Sequence, residues 1–258
     1  MKWLLVAGAA ALSFTGYVAC RSIKGQRVNP VIHKNLVKWE STGDSAFSAS
    51  LVKDTAGNII SVETNLEINR FGFCEDSLTL TEFSKTENRI VYEFKGKRDS
   101  TGKLMNGIAT ASYSVNSPDT VIHHFEYNAE GYLIKEFRDY GDHSVYTIVY
   151  EYEQGDAVKI YTYYNDELYN TKSFEYFTDR KNFTGLEDFK FRKNINGLAG
   201  KTSNHLVKKI SSVARTGKLN YSFNYEYETD EEGLPVKAIT MKGKKVNSVT
   251  TYFYTAKA

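Results

Sequence analysis

The 258-residue chain carries 33 basic and 31 acidic side chains, which gives a formal net charge of +2. A near-balanced charge without a block of lysine and arginine argues against nucleic-acid binding. The composition includes 19 tyrosines, 15 phenylalanines and only 3 prolines. Aromatic side chains suit a pleated sheet, whereas proline cannot donate to a strand ladder. The composition therefore favours an all-β protein, and one such domain can reach this length.

The first twenty residues have the layout of a secretory signal. Lys2 supplies a positive start, an apolar run covers residues 3–12, and smaller side chains lead to Tyr17-Val18-Ala19-Cys20. These last four residues resemble a bacterial lipobox, in which the cysteine receives diacylglycerol and palmitate. The sequence therefore predicts a signal peptide over residues 1–19, lipidation of Cys20 and a tether up to residue 44. Ordinary cleavage to a free secreted protein and an uncleaved membrane anchor are the alternatives.

A hairpin unit recurs from residue 45 onward. Aromatic residues alternate with polar ones, a turn with Asp, Asn or Glu and Gly follows, and a second alternating run returns. The clearest copies cover residues 125–137, 150–160 and 223–237. Glycine allows the positive φ of tight hairpin turns, and period-two alternation gives each strand one aromatic and one polar face. Residues 45–258 are therefore predicted to form a single all-β domain, a large curved antiparallel meander of hairpins that is barrel-like or half-open.

One segment, Asp179 to Ser212, interrupts this pattern with several asparagines and glycines. Long irregular loops in compact domains are uncommon and are often functional. We predict a long loop that crosses between two strands of the sheet. Because the strand faces are tyrosine on one side and charged on the other, the sequence does not favour a barrel that spans a membrane.

Three blocks carry a resemblance to a known family. They are the block from Phe183-Thr184-Gly185-Leu186-Glu187 through Gly197-Leu198-Ala199-Gly200-Lys201, the run Asn204-His205-Leu206-Val207-Lys208-Lys209-Ile210, and the hairpin from Tyr225 to Pro235. Together with the lipobox, these blocks resemble a family of bacterial envelope lipoproteins of unknown function with a porin-like β fold. The hairpins also look like the tyrosine–aspartate repeats of wrapping β-shell proteins. The resemblance implies a location in the cell envelope, lipid-anchored to the outer membrane or facing the periplasm. It implies no catalytic residues.

The residues that could carry chemistry form no recognised catalytic motif. The five histidines include the adjacent pair His123 and His124, whose side chains point to opposite faces of a strand, and no Cys/His pair has zinc spacing. The recurrent aspartates, Asp156 among them, are typical of turns. No nucleophile elbow, P-loop or dinucleotide fingerprint is present. The sequence therefore predicts a protein that is not an enzyme, with no catalytic residues, no metal site and no cofactor.

Five serines and threonines follow an aspartate and precede a small or apolar residue or a threonine. This pattern resembles the acceptor motif of the general O-glycosylation system of anaerobic envelope bacteria. The competing interpretation is that Asp-Ser and Asp-Thr simply form good turns. The predicted acceptors are Ser45, Thr55, Ser77, Ser100 and Thr120.

Two functional hypotheses follow from the aromatic strands. In the first, the protein is a non-enzymatic binding or scaffold protein for a glycan, a peptide or a partner protein. Its binding surface would include Tyr221, Tyr225 and Tyr227 or the segment from Asp179 to Ser212, since tyrosine is enriched in recognition surfaces. In the second, a half-open barrel lined by Phe, Ile and Leu carries a lipid or another hydrophobic ligand in the periplasm. Both hypotheses include membrane attachment through the lipid anchor and neither includes nucleic acid.

Overall fold

The computed structural model describes residues 34–43, 47–55, 58–111, 119–141, 143–184, 187, 189–190 and 197–256. The predicted signal peptide, Cys20 and Ser45 lie outside the described residues. The strands are β1 (Lys34–Gly43), β2 (Phe47–Lys53), β3 (Ile59–Thr64), β4 (Glu67–Phe73), β5 (Ser77–Ser84), β6 (Arg89–Arg98), β7 (Leu104–Ala111), β8 (Asp119–Tyr127), β9 (Leu133–Asp139), β10 (Val145–Glu153), β11 (Asp156–Tyr164), β12 (Glu167–Lys181), β13 (His205–Ala214), β14 (Leu219–Thr229), β15 (Pro235–Lys242) and β16 (Lys245–Ala256).

The strands form one closed antiparallel barrel. Each strand pairs with the next in the chain, and β16 pairs with β1 from Lys34↔Ala256 to Gly43↔Ser248. The prediction of an all-β, barrel-like meander is confirmed, and the sheet closes rather than remaining half-open. Closure removes both sheet edges, since each described strand has a paired neighbour on either side.

The first strand lies inside the range that the sequence assigned to the tether. Leu36 and Trp39 are both buried in the barrel core although they lie three positions apart, an odd spacing. The register of β1 against β16 shifts between Leu36 and Lys38. Such a shift breaks strict alternation, which is why a period-two pattern does not identify this strand. The domain therefore begins before residue 45.

The two faces of the barrel differ in polarity. In β6, the side chains of Tyr92 and Phe94 are buried in the interior, whereas Glu93 and Lys95, which alternate with them, are exposed outside. Interior side chains from strands all around the barrel form one apolar cluster. Burial of this cluster is the main driving force for folding. Among the described residues, no helix is both long enough and apolar enough to cross a membrane.

A repeated hydrogen bond explains part of the tyrosine content. The hydroxyl of Tyr152 donates to the carbonyl of Leu133 (2.9 Å), that of Tyr176 to Ala157 (2.8 Å) and that of Tyr254 to Pro235 (2.8 Å). In each case the acceptor lies 19 residues earlier, just after the preceding hairpin turn. A buried tyrosine needs a partner for its hydroxyl. In each of these three hairpins, the backbone carbonyl 19 residues earlier is that partner.

The turns at this end of the barrel follow one scheme. In the β6–β7 turn, Gly102 donates its N–H to the carbonyl of Asp99, and the carboxylate Oδ1 of Asp99 accepts the N–H of Lys103. Asn128 and Asp230 repeat both interactions in the β8–β9 and β14–β15 turns. Gly102 has φ +87°, a conformation that glycine adopts without strain. The predicted turn chemistry is therefore confirmed at these positions.

The segment between β12 and β13 folds into the barrel, and we call its described residues, within 182–204, the plug. Leu198 is buried, and its carbonyl accepts the N–H of Leu104 (3.2 Å) and the hydroxyl of Tyr127 (3.2 Å). Within the plug, Lys190 Nζ lies 2.6 Å from Glu187 Oε2, and both side chains are buried. The sequence predicted a crossing loop. The structure shows instead an inserted element that fills one end of the interior.

Alkaline solution is expected to unfold the barrel. Burial raises the pKa of Tyr127, Tyr150, Tyr152 and Tyr176 well above the ordinary value of 10.0. A raised pKa contributes stability that is complete below pH 10 and is lost as the pH rises above it, because only the unfolded chain ionises readily. Tyrosinate absorbance and circular dichroism should therefore change together above about pH 10. Gradual ionisation of the tyrosines while the circular dichroism spectrum remains that of a β-sheet would contradict this expectation.

Candidate ligand-binding cavity

A cavity of about 370 Å³ lies inside the barrel, between the plug and the wall formed by β1, β2 and β13 to β16. Its volume falls within the range of about 300–1,000 Å³ that is usual for small-molecule sites. The cavity is bounded by Trp39, Ser41, Phe47, Asn182, Thr184, Glu187, Phe189, Ser203, His205, Leu206, Val207, Ile210, Phe223, Tyr225, Tyr227, Ala238, Thr240, Asn247, Ser248, Thr250 and Tyr252.

One side of the cavity is aromatic because β14 alternates. Phe223, Tyr225 and Tyr227 occupy successive inward positions, opposite inward residues of β13 and β15. The rings of Tyr225 and Tyr227 lie 6.4 Å apart with an interplanar angle of 16°. Trp39 of β1 adds a further ring. The β14 rings thus give the cavity an aromatic side against which a ring-shaped ligand can pack.

The predicted binding tyrosines lie inside the barrel, and only two of them border the cavity. Tyr225 and Tyr227 line it. Tyr221 occupies the same face of β14, opposite Ser212, but it does not belong to the cavity wall. Burial raises the pKa of the Tyr221 hydroxyl, and its hydrogen bond with Ser212 acts in the opposite direction.

The other side of the cavity is polar and comes from the plug and its flanks. Asn182, Thr184, Ser203 and His205 supply amide, hydroxyl and imidazole groups. Ser203 is held in place because its hydroxyl accepts the N–H of Ala157 (3.1 Å) and its own N–H donates to Glu187 Oε1 (2.7 Å). The polar groups are therefore positioned by the packing of the plug against β11.

His205 is fixed by a buried carboxylate. Its Nδ1 lies 2.7 Å from Asp156 Oδ2, and its backbone N–H donates to Asp156 Oδ1 (2.9 Å). These two contacts with one carboxylate fix the orientation of the imidazole ring at the edge of the cavity. Sequence reasoning assigned Asp156 to a turn and missed the pair, because no local pattern links two residues 49 positions apart.

The remaining predicted positions do not converge on the cavity. Thr55 and Ser100 lie exposed in turns, Thr120 is exposed on the outer face of β8, and Ser77 is half-buried at the start of β5. Their O-glycosylation stays a prediction. The adjacent histidines divide as expected, with His123 buried inside the barrel and His124 exposed outside.

No protein-family model matches the sequence, and no curated protein matches it. Two crystal structures of porin-like proteins are similar to the chain. One is from Bacteroides vulgatus ATCC 8482, with 15% identity and a TM-score of 0.64, and covers 86% of this chain and 99% of its own. The barrel has a porin-like fold. The other is from Bacteroides uniformis ATCC 8492, with 13% identity and a TM-score of 0.59, and the match covers 85% of this chain and 96% of that one. At sequence identities this low, the structural similarity shows only that the chain shares the porin-like fold of these proteins.

Proposed function

We propose that the protein is a non-enzymatic binding protein whose interior cavity holds part of a glycan. The observation that carries this proposal is the two-sided lining, with tyrosine and tryptophan rings opposite amide, hydroxyl and imidazole groups. Sugars present apolar C–H faces and a rim of hydroxyls. The rings can pack against those faces, and the plug side can pair with the hydroxyls, as ligand sites combine an apolar surface with a few placed polar groups.

The polar side of the cavity favours a glycan over a lipid. A hydrocarbon chain offers no hydrogen-bond partner to the amide, hydroxyl and imidazole groups of this side, and each polar group that loses water without gaining a partner costs about 1–3 kcal/mol. The carrier hypothesis also predicted a lining of Phe, Ile and Leu, whereas the described lining includes hydroxyl, amide and imidazole groups. The charged outer face of strands such as β6 supports a barrel surrounded by water.

The proposal includes export to the cell envelope and attachment through a lipid on Cys20. Residues 1–20 support it, since their order of charge, apolar run and small residues is typical of a lipoprotein signal. Mass spectrometry of the mature N-terminus tests this part. A start at Cys20 carrying a diacylglycerol-sized addition is expected, and an unmodified residue 20 or an intact leader would contradict it.

Saccharide binding can be followed with a built-in reporter. The chain has two tryptophans, Trp3 in the predicted leader and Trp39 in the cavity wall. Protein lacking residues 1–19 therefore reports through Trp39 alone. We expect neutral oligosaccharides from a panel to change Trp39 fluorescence saturably and to give matching isotherms in calorimetry. Saturable binding of a fatty acid instead, or of no saccharide, would overturn the glycan proposal.

Truncation of a cavity tyrosine is expected to weaken this binding. Replacing Tyr225 with alanine removes one of the two parallel rings of β14 and should lower saccharide affinity about 30-fold, as for a central aromatic contact worth about 2 kcal/mol. Glu226→Ala is the matched control, because Glu226 is the next residue of β14 and faces outward. Equal losses in both variants, or none in Tyr225→Ala, would place the ligand elsewhere.

A further inference from the structure

A cluster of three tyrosines lies at the end of the barrel opposite the plug. The ring of Tyr146 is 5.8 Å from that of Tyr140 and 5.0 Å from that of Tyr164. Tyr146 and Tyr164 are paired neighbours on β10 and β11. Tyr164 is 39% exposed, so the cluster has an aromatic surface that a ligand can reach.

Two cationic side chains lie on the inner face, one beside this cluster and one further along the sheet. Arg138 of β9 pairs directly with Tyr146 in the sheet register. Lys172 of β12 is an inward residue opposite Ile160 and Ser212. Burial, and after it the positive charge of Arg138, lower the pKa of Lys172.

Both cations retain unused hydrogen-bond donors. Arg138 donates through Nε to Glu136 Oε1 (2.6 Å), which leaves its two terminal nitrogens without a hydrogen bond in the described part of the chain. Lys172 has neither a hydrogen bond nor an ion pair with any described residue. A guanidinium group and an ammonium group both form charge-assisted hydrogen bonds with oxyanions.

One interior carboxylate, Glu136, can neutralise only one of these two cations. Glu136 is already bonded to Arg138, the side chain of Asp139 accepts the N–H of Gly141 (2.8 Å), and Glu167 is ion-paired with Arg215. Two cations therefore face one interior carboxylate, Glu136. The local excess of positive charge favours a ligand with one negative group.

A buried hydroxyl gives an independent sign of a missing partner. Tyr150 is 3% exposed, yet its hydroxyl makes no hydrogen bond among the described residues. Tyr150 lies two positions along β10 from Ile148, which pairs with Glu136. Buried polar groups are nearly always hydrogen-bonded, so an uncompensated hydroxyl at this place indicates that water or a ligand oxygen completes it.

We propose that Arg138, Lys172 and the three tyrosines form a second site, which binds an oxyanion carried on a ring: a carboxylated or sulfated sugar unit. The cations hold the anionic group, and the tyrosine rings stack on the sugar ring. The site goes beyond the proposed cavity function, since the described cavity wall includes none of these residues.

The test uses three probes on protein lacking residues 1–19: glucuronate, inorganic sulfate and uncharged glucose. Calorimetry is expected to show saturable glucuronate binding that weakens with added salt, weaker binding of sulfate, and none of glucose at this site. Lys172→Gln should lower glucuronate affinity about tenfold, the loss expected for one charge-assisted hydrogen bond. Lys159→Gln, an exposed outward lysine of the adjacent β11, should change nothing.

A second variant separates ring recognition from simple anion binding. Tyr164→Leu should weaken glucuronate several-fold and leave sulfate unchanged, and circular dichroism verifies that both variants fold. Equal affinity for sulfate and glucuronate that ignores Tyr164 would overturn the sugar part of the proposal. Absence of any salt-sensitive binding, or equal losses in Lys159→Gln, would overturn the site. Tyr225→Ala changes the cavity and leaves this second site intact. Glucuronate binding at the second site can therefore fail or succeed independently of saccharide binding in the cavity.

Discussion

Replacing Glu136 with glutamine is expected to lower the free energy of unfolding at neutral pH by about 3 kcal/mol, as when a buried ion pair is broken. Glu136 is 0% exposed and accepts a hydrogen bond from Arg138 Nε at 2.6 Å. Glutamine preserves the size of the side chain but removes its charge, which leaves Arg138 uncompensated against the interior. Urea unfolding followed by circular dichroism measures the change.

The same substitution should alter the response to acid. Burial alone would raise the pKa of Glu136, but Arg138 and His123 lower it from 4.5 to about 2. A lowered pKa contributes stability above the unfolded value, and this contribution is lost as the pH falls from 4.5 towards about 2. The difference in free energy of unfolding between the parent protein and Glu136→Gln is therefore expected to be largest at neutral pH and to decrease below about pH 4.

Glu126→Gln is the control for this experiment. Glu126 is an outward residue of the adjacent β8, and its nearest cation, Lys135, is 3.5 Å away in an exposed pair. Its loss should stay within about 0.5 kcal/mol. A gap for Glu136→Gln that is independent of pH, or a comparable loss in Glu126→Gln, would argue against the buried pair as the cause.

Replacing Lys190 with methionine is expected to destabilise the protein by about 3–5 kcal/mol. Lys190 Nζ lies 2.6 Å from Glu187 Oε2, with side-chain exposures of 0% and 2%, and also donates to the carbonyl of Lys201. Methionine fills a similar volume but leaves the carboxylate of Glu187 buried without its cation. Urea unfolding measures the loss, and Trp39 fluorescence should shift because Glu187 and Trp39 line the same cavity.

The double variant Glu187→Gln/Lys190→Met tests whether the pair acts as a unit. Replacing a whole buried ion pair by neutral groups of similar volume is often close to neutral, and glutamine can still accept the N–H of Ser203. The double variant should therefore recover most of the stability lost in Lys190→Met. Losses that simply add would show that the two side chains stabilise the plug independently.

The strands and turns with regular alternation could be predicted because their signals are local. In β14, Phe223, Tyr225 and Tyr227 point inward as the alternation predicts, and the turn before β15 uses Asp230 and Gly233 as expected. Strand β1 could not be predicted from the sequence, because the register shift after Leu36 removes the alternation. The sequence also placed the binding tyrosines on an exposed surface. Alternation shows which residues share one face of a strand, but it does not show whether that face points to solvent or to the interior of a barrel.

By itself, the sequence determined the β class, the hairpin order and the turn chemistry, because side-chain alternation and glycine conformation act between residues close in the chain. Only the tertiary structure decided that the sheet closes, that the plug fills one end of it, and that Asp156 orients His205 at a cavity. Each of these depends on contacts between distant segments, such as β1 with β16. Such contacts form only where the whole barrel brings their side chains together, and no local pattern encodes them.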